Sequence, residues 1–298
     1  MPADPAVSRA ARAALLVAIA AVLFALMAVV AKKAAARLPG PEVACVRFLV
    51  GLAAVGAVAT RRRLRAHNWR GLFLRGAFGG AAVLCYFLAI QHLPVGFATL
   101  LNYTAPVFTA LWAALFLREP IGGAAVGALA VTTAGVALVI VGQSGDAPPG
   151  TYGFGPWQLV GVGSAILSGA AVATIREVRR TDGSWEIFAS FCVVGAIVTG
   201  VPAAPRWVTP TLPEWGWLFA VGSISVVAQL LMTHALRDVR AAVAGIIMQL
   251  TPVAAIVLGA LLFGERAHGL QIAGAAVTLV GVSWGGWIAS APPSRGGG

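Results

Sequence analysis

Acidic side chains are scarce in this chain, with ten Asp+Glu among 298 residues against 21 Lys+Arg. Glu42, Glu119, Glu186, Glu214 and Glu265 all fall near the ends of apolar runs. The first run has no carboxylate between Leu15 and Val30, which disfavours a proton-coupled exporter of cationic drugs. Cysteine is nearly absent too. Cys45, Cys85 and Cys192 lie inside apolar runs without a CxxC spacing, so they read as small buried hydrophobes. His67, His92, His234 and His268 show no metal-ligand spacing. No metal, cofactor or catalytic residue is expected, and no cluster of nucleophiles, acids and bases suggests an enzyme.

Charge of either sign is low. Only 10% of residues are charged and 59% are hydrophobic, whereas a soluble domain carries about 25% charged residues. Mean hydropathy is +0.88. Such a chain reads as an all-α polytopic membrane protein whose partners include the lipid bilayer. The net charge of +11 does not point to nucleic acid, because the basic residues occupy short gaps between apolar runs.

A spanning helix needs about 20 mostly apolar residues. Ten such runs are expected, over 13–31, 41–60, 71–91, 96–117, 122–142, 155–175, 185–201, 213–233, 241–263 and 270–288. Arg9 and Arg12 precede the first, which is too long for a signal peptide and reads as a first span. With the N-terminus placed inside, fourteen Lys or Arg flank the inner ends and five the outer ends. The positive-inside rule then predicts that both termini are cytoplasmic. Eight of nine Trp fall near span ends, where indole rings favour the interface; Trp112 is the exception.

The chain also repeats itself. At an offset of 146, Pro106-Val107 meets Pro252-Val253, Glu119 meets Glu265, and Gly135-Val136 meets Gly281-Val282. At 144, Glu42 meets Glu186. Residues 1–145 and 146–298 therefore read as two five-helix repeats. Five is odd, so the second repeat crosses the membrane in the opposite sense. Inverted repeats surround a central site in secondary transporters.

Two stretches interrupt otherwise apolar helices: "NYTAP" at Asn102 and "MQLTP" at Met248. Pro106 offers no N–H to the Asn102 carbonyl, and Pro252 none to that of Met248. Both prolines are hinge candidates, and Asn102, Tyr103, Met248 and Gln249 are candidate substrate contacts. The alternative is a simple kink re-satisfied by Thr104 or a neighbour. Tyr103 and Gln249 each lie about 10 Å into the membrane from opposite faces. A gap of about 10 Å is expected between them. Arg47 reads as the one strongly ionic group well inside a span. It can snorkel, pair with Glu265, or bind a carboxylate. Its repeat mate at offset 144 is Phe191. With one such cation, a neutral or zwitterionic substrate fits better than a phosphorylated sugar.

The repeat, the short loops and the "RE" or "GE" followed by "G…AGVALV" resemble the drug/metabolite transporter superfamily, EamA branch. Pro106, Glu119, Gly127 and Gly135 carry the likeness in one half, and Pro252, Gly264, Glu265, Gly274 and Gly281 in the other. The "REP" at the end of the fourth run departs from the usual "GE". Within the branch the chain is most similar to bacterial YddG-type amino-acid exporters. The resemblance implies an inner-membrane exporter of small metabolites, amino acids (aromatic or other neutral) foremost, working by alternating access. Another small metabolite or drug is the alternative cargo, ahead of an enzyme or receptor. By resemblance, Phe24, Tyr86, Ser168 and Gln229 join the substrate-binding candidates, with Met27 and Ser164 beside them. Such residues more often serve packing or interhelical hydrogen bonds. GxxxG pairs at Gly76/Gly80, Gly123/Gly127 and Gly281/Gly285 allow close helix approach, and self-association through them is left open.

Overall fold

In lipid, backbone groups must find partners within their own segment, so apolar runs fold as helices. The computed structural model describes residues 5–34, 37–61, 63–92, 101–118, 121–143, 155–263 and 269–290. These are α-helical, apart from short turns and one 3-10 turn at Ala204–Arg206. The helices are α1 (Pro5–Ala34), α2 (Gly40–Ala59), α3 (Trp69–His92), α4 (Ala105–Phe116), α5 (Gly123–Gln143) and α6 (Pro156–Val178). They continue as α7 (Ser184–Ala203), α8 (Leu212–Ala235), α9 (Ala241–Met248), α10 (Leu250–Phe263) and α11 (Gly269–Ser290).

Among the described residues, seven segments are long and apolar enough to span a bilayer. One of them, Ala241–Leu258, runs through the α9–α10 junction. Shorter apolar helices, Ala105–Phe116, Gly123–Leu138 and Gly269–Gly285, occupy the expected fourth, fifth and tenth runs. The protein is thus an all-α, multi-pass membrane protein. Leu115, Phe116, Val201, Phe219 and Leu261 are each more than half exposed, as lipid-facing side chains in a bilayer protein are.

Packing follows the internal repeat. α1 packs on α8 and α3 on α6, two contacts that interchange when the halves are exchanged. The same holds for α2 on α8 with α3 on α7, and for α4 on α6 with α1 on α9 and α10. The pairs α2–α7, α4–α9 and α5–α11 map onto themselves. The two halves are therefore interleaved.

Glycines permit the closest of these contacts. A Cβ on Gly135 would meet Thr278 N at 2.5 Å, and one on Gly281 would meet Thr132 N at 2.9 Å. Gly135 and Gly281 are repeat mates, as are Thr132 and Thr278, so α5 and α11 cross reciprocally. Each threonine hydroxyl also returns to its own helix, Thr132 Oγ1 to Ala128 O at 2.9 Å and Thr278 Oγ1 to Gly274 O at 2.8 Å. The GxxxG glycines are mostly used within the chain. Gly76 faces Ser190 O, Gly80 faces Gly195, Gly127 faces Trp284 and Gly285 faces Ile246, while Gly123 has open space.

Polar ties close both ends of the bundle. At one end, the buried Asp182 carboxylate accepts from His67 N at 2.8 Å, Asn68 N at 3.0 Å and Thr181 Oγ1 at 2.7 Å. Arg179 Nε donates to Thr233 O at 3.1 Å and Arg176 Nη1 to Leu236 O at 2.9 Å. The α6–α7 turn is so fastened to the start of α3 and the end of α8. At the other end, Arg37 grips Glu214 through Nε at 2.9 Å and Nη2 at 2.6 Å. Val208 N donates to Glu42 Oε2 at 2.9 Å. Here the α1–α2 turn is fastened to the α7–α8 connection. The two ties join equivalent connections of the two halves.

Gly281→Ala should lower the unfolding temperature in detergent, at a cost of about 1–3 kcal/mol for overpacking. Gly123→Ala, in open space, should leave it unchanged or raise it. Asp182→Ala strands two backbone donors and should cost about 2–4 kcal/mol. Arg37→Ala, at an exposed pair, should shift the unfolding temperature little.

Candidate functional site

Proline shapes the centre of the bundle from two sides. α4 begins at Ala105 with Pro106 in its first turn, where a missing N–H costs little. Leu101 and Asn102, where the described residues resume, are helical, and Tyr103 and Thr104 make the turn before α4. Thr104 N reaches Leu101 O at 3.2 Å and its hydroxyl the same oxygen at 2.6 Å. In the second half α9 ends at Met248, Gln249 makes the turn, and α10 starts at Leu250 with Pro252 in its first turn. Gln249 N bonds to Ile246 O at 3.1 Å. Each interruption is a short tightened turn with right-handed helical backbone at Thr104 and Gln249, and their prolines lie 146 residues apart.

The two breaks touch. Gln249 Nε2 donates to the Tyr103 carbonyl at 3.2 Å. Gln249 is completely buried, yet its Oε1 has no hydrogen-bond partner, and neither does the buried Thr251 hydroxyl. The gap of about 10 Å expected between Tyr103 and Gln249 is therefore closed: axial counting measures where the Cα atoms stand, whereas the glutamine side chain spans the distance between chains. Beside it, Asn102 Nδ2 donates to Ser164 Oγ at 2.6 Å, and Ser164 Oγ to Ala82 O at 3.1 Å. This chain of bonds holds the α4 break against α6 and α3. Close approach is again prepared by glycine: a Cβ on Gly169 would meet Thr109 N at 2.7 Å, and one on Gly245 would meet Pro106 Cβ at 3.2 Å.

The other expected residues divide between surroundings. Tyr103 packs its half-buried side chain against Val136, as do Ile256 and Ala275. Tyr86 lies 5.9 Å from Phe87, ring to ring. Phe24 and Met248 pack on the large apolar cluster of Val17, Ile175, Leu236 and Ile247. Gln229 bonds within its own helix to Thr233 Oγ1 at 3.4 Å. Ser168 is half-buried on α6. Trp112, the Trp away from the span ends, satisfies its indole N–H on Ile166 O at 3.2 Å.

Arg47 lies apart from the breaks. Its guanidinium stands over Phe48 at 4.7 Å and over Phe191, its own repeat mate, at 5.8 Å. Its Nη1 approaches Met27 Sδ at 3.8 Å. Glu265, one expected partner, lies outside the described residues. The feature that depth counting missed is Arg75 on α3. It is 3% exposed, and its guanidinium stands 3.9 Å over the same Phe191 ring. Arg75 Nε and Nη1 are buried without an acceptor. Its position six residues after Trp69 marked it as within a span, but nothing in the one-dimensional pattern told which way it faced. Among the described residues no group of His, Cys, Asp and Glu could hold a metal ion.

Comparison with known proteins agrees with this architecture. A solved crystal structure of another protein superposes with a TM-score of 0.80 at 20% identity, covering 93% of this chain and 98% of that one. The pseudopaline exporter of Pseudomonas aeruginosa is 30% identical over 271 residues, covering 89% of this chain and 93% of that protein. The riboflavin transporter of Rhizobium johnstonii is 26% identical over 279 residues, covering 91% and 90%. The family description "EamA-like transporter family" matches twice, over residues 11–141 and again over 155–284. The chain belongs to the EamA-like transporter family.

Proposed function

We propose that the protein exports small zwitterionic metabolites of the amino-acid class across a bacterial inner membrane by alternating access. Both termini are cytoplasmic in this reading, which the Lys and Arg distribution supports. Residues 1–145 and 146–298 act as the two units that exchange roles during transport. The observation that carries the reading is the contact between the breaks. Two interrupted helices, one from each half, meet through Gln249 Nε2 and the Tyr103 carbonyl. Broken spans at a repeat interface expose backbone groups where a polar solute can bind and where rocking halves can pivot. The unpartnered Gln249 Oε1 and Thr251 hydroxyl supply polar capacity there that the protein leaves unused. Relatives named as exporting pseudopaline and transporting riboflavin support small-molecule cargo. Amino acids, or conjugates bearing amino and carboxylate groups, are this proposal's narrower content.

Purified protein in proteoliposomes should exchange a labelled amino acid against an internal pool of the same compound. Failure of every amino acid, with exchange of other metabolites intact, removes the substrate class; failure of all solutes removes the transporter mechanism itself. Gln249→Ala should cut exchange by about 10-fold or more at matched membrane abundance. Trp287→Ala, on an exposed face, should leave it near wild type, and equal impairment of the two variants argues against the breaks as the site.

A further inference from the structure

The described residues hold one buried guanidinium, Arg75, and one half-buried, Arg47, with no described carboxylate paired to either. Arg47 on α2 and Arg75 on α3 both approach the Phe191 ring on α7, at 5.8 and 3.9 Å. Described ion pairs join Arg37 to Glu214, His67 to Asp182 and Arg180 to Glu177, so neither interior arginine is among them. Arg47 stands seven residues from the start of α2 and Arg75 six from the start of α3, at opposite ends of the bundle. That places them about 10 Å and about 9 Å deep from opposite faces. In a core about 30 Å thick they come from opposite faces toward the midplane and share one aromatic ring. Room for the Arg75 guanidinium is made by Gly79, whose Cβ would collide with Arg75 Nη1.

A ring face attracts a cation but does not neutralise it. Burying an unpaired charge is costly, and proteins keep such groups in membranes where they meet an ion or substrate. Arginine presents a planar fork that matches a carboxylate in bidentate fashion. Arg75 has two N–H-bearing nitrogens with no acceptor, and two uncompensated positive charges call for more than one negative charge on the ligand.

We propose that Arg47 and Arg75 form a carboxylate-binding site and that the cargo is anionic, an amino acid or amino-acid conjugate with a carboxylate beyond that of its zwitterion. This rests on the transporter reading above and narrows its substrate class. Each guanidinium takes one carboxylate, or the pair passes a carboxylate from one arginine to the other past the shared Phe191 ring as the halves rock.

The test compares glutamate with glutamine, and aspartate with asparagine, by ligand-induced thermal stabilisation of the detergent-purified full chain. Inorganic phosphate is included as a second oxyanion. Wild-type protein should favour each acid over its amide by roughly 30-fold or more. Arg75→Met should erase that preference while glutamine binding persists, and should raise the ligand-free unfolding temperature by removing an unpaired charge. Arg47→Met should reduce the preference in the same way, and it decides the matter if Arg75→Met no longer binds glutamine. The proposal is overturned if wild-type protein shows no acid preference, if phosphate outcompetes both acids, or if the preference survives in folded Arg75→Met and Arg47→Met. Acid binding without exchange in proteoliposomes would instead sink the transporter reading and leave the site standing.

Discussion

A single side chain closes the centre of this molecule. Where two helices break inside a bilayer, the freed carbonyls and amides cannot turn to water. The Gln249 amide bonding the Tyr103 carbonyl is the contact that lets both breaks coexist. Much else follows from it. The residues before α4 must lie against α6 and α3, where Ser164 and Ala82 take up Asn102. α9 must run close beside α4, and Gly245 makes the space. The prolines stand in the first turns of the resumed helices, where their missing donors are harmless. Break, bond and glycine form one arrangement, and none is stable without the others.

The same principle explains why helix ends and helix middles are held so differently. At the two ends, loops are fastened by carboxylates that gather backbone donors or arginine forks, Asp182 at one end and Glu42 and Glu214 at the other. In the middle, threonine and serine hydroxyls return to carbonyls of their own turn, as at Thr109, Thr132, Thr199 and Thr278. Charge is thus kept largely where water is near, and the interior arginines stand out against that background.

Much of the fold was legible because both its causes are periodic. Apolar run length sets the span, and the 146-residue offset already aligned Pro106 with Pro252 and Gly135 with Gly281. The breaks were legible as well, since proline acts locally on its own helix. What the linear pattern does not carry is azimuth. Tyr103 and Gln249 could be placed in depth but not joined, because joining depends on which way a side chain turns. Gln229 reads as a candidate contact, and its Nε2 reaches Thr233, one turn along its own helix, a bond that the linear pattern does not reveal. Arg75 could be placed within a span, outside the topology signals, but only packing reveals that it shares a ring with Arg47. Neutral or zwitterionic cargo is the expectation from one interior cation, and the proposed anionic cargo rests on adding the second.

Tyr103 and Gln249 are repeat mates in contact, and so are Arg47 and Phe191. Residues that touch their own counterpart mark a rotation axis. In a pair of identical five-helix chains, any residue on that axis would face a copy of itself. An arginine there would meet an arginine, and a tyrosine a tyrosine. Fusion into one polypeptide removes that constraint, because each copy then mutates alone. Arg47 can rest on the aromatic face of its counterpart, and a glutamine can stand opposite a tyrosine, only because the two halves are free to differ. Joining the halves therefore did more than fix their stoichiometry: it allowed the axis, the one place symmetry would have kept chemically redundant, to hold unlike groups.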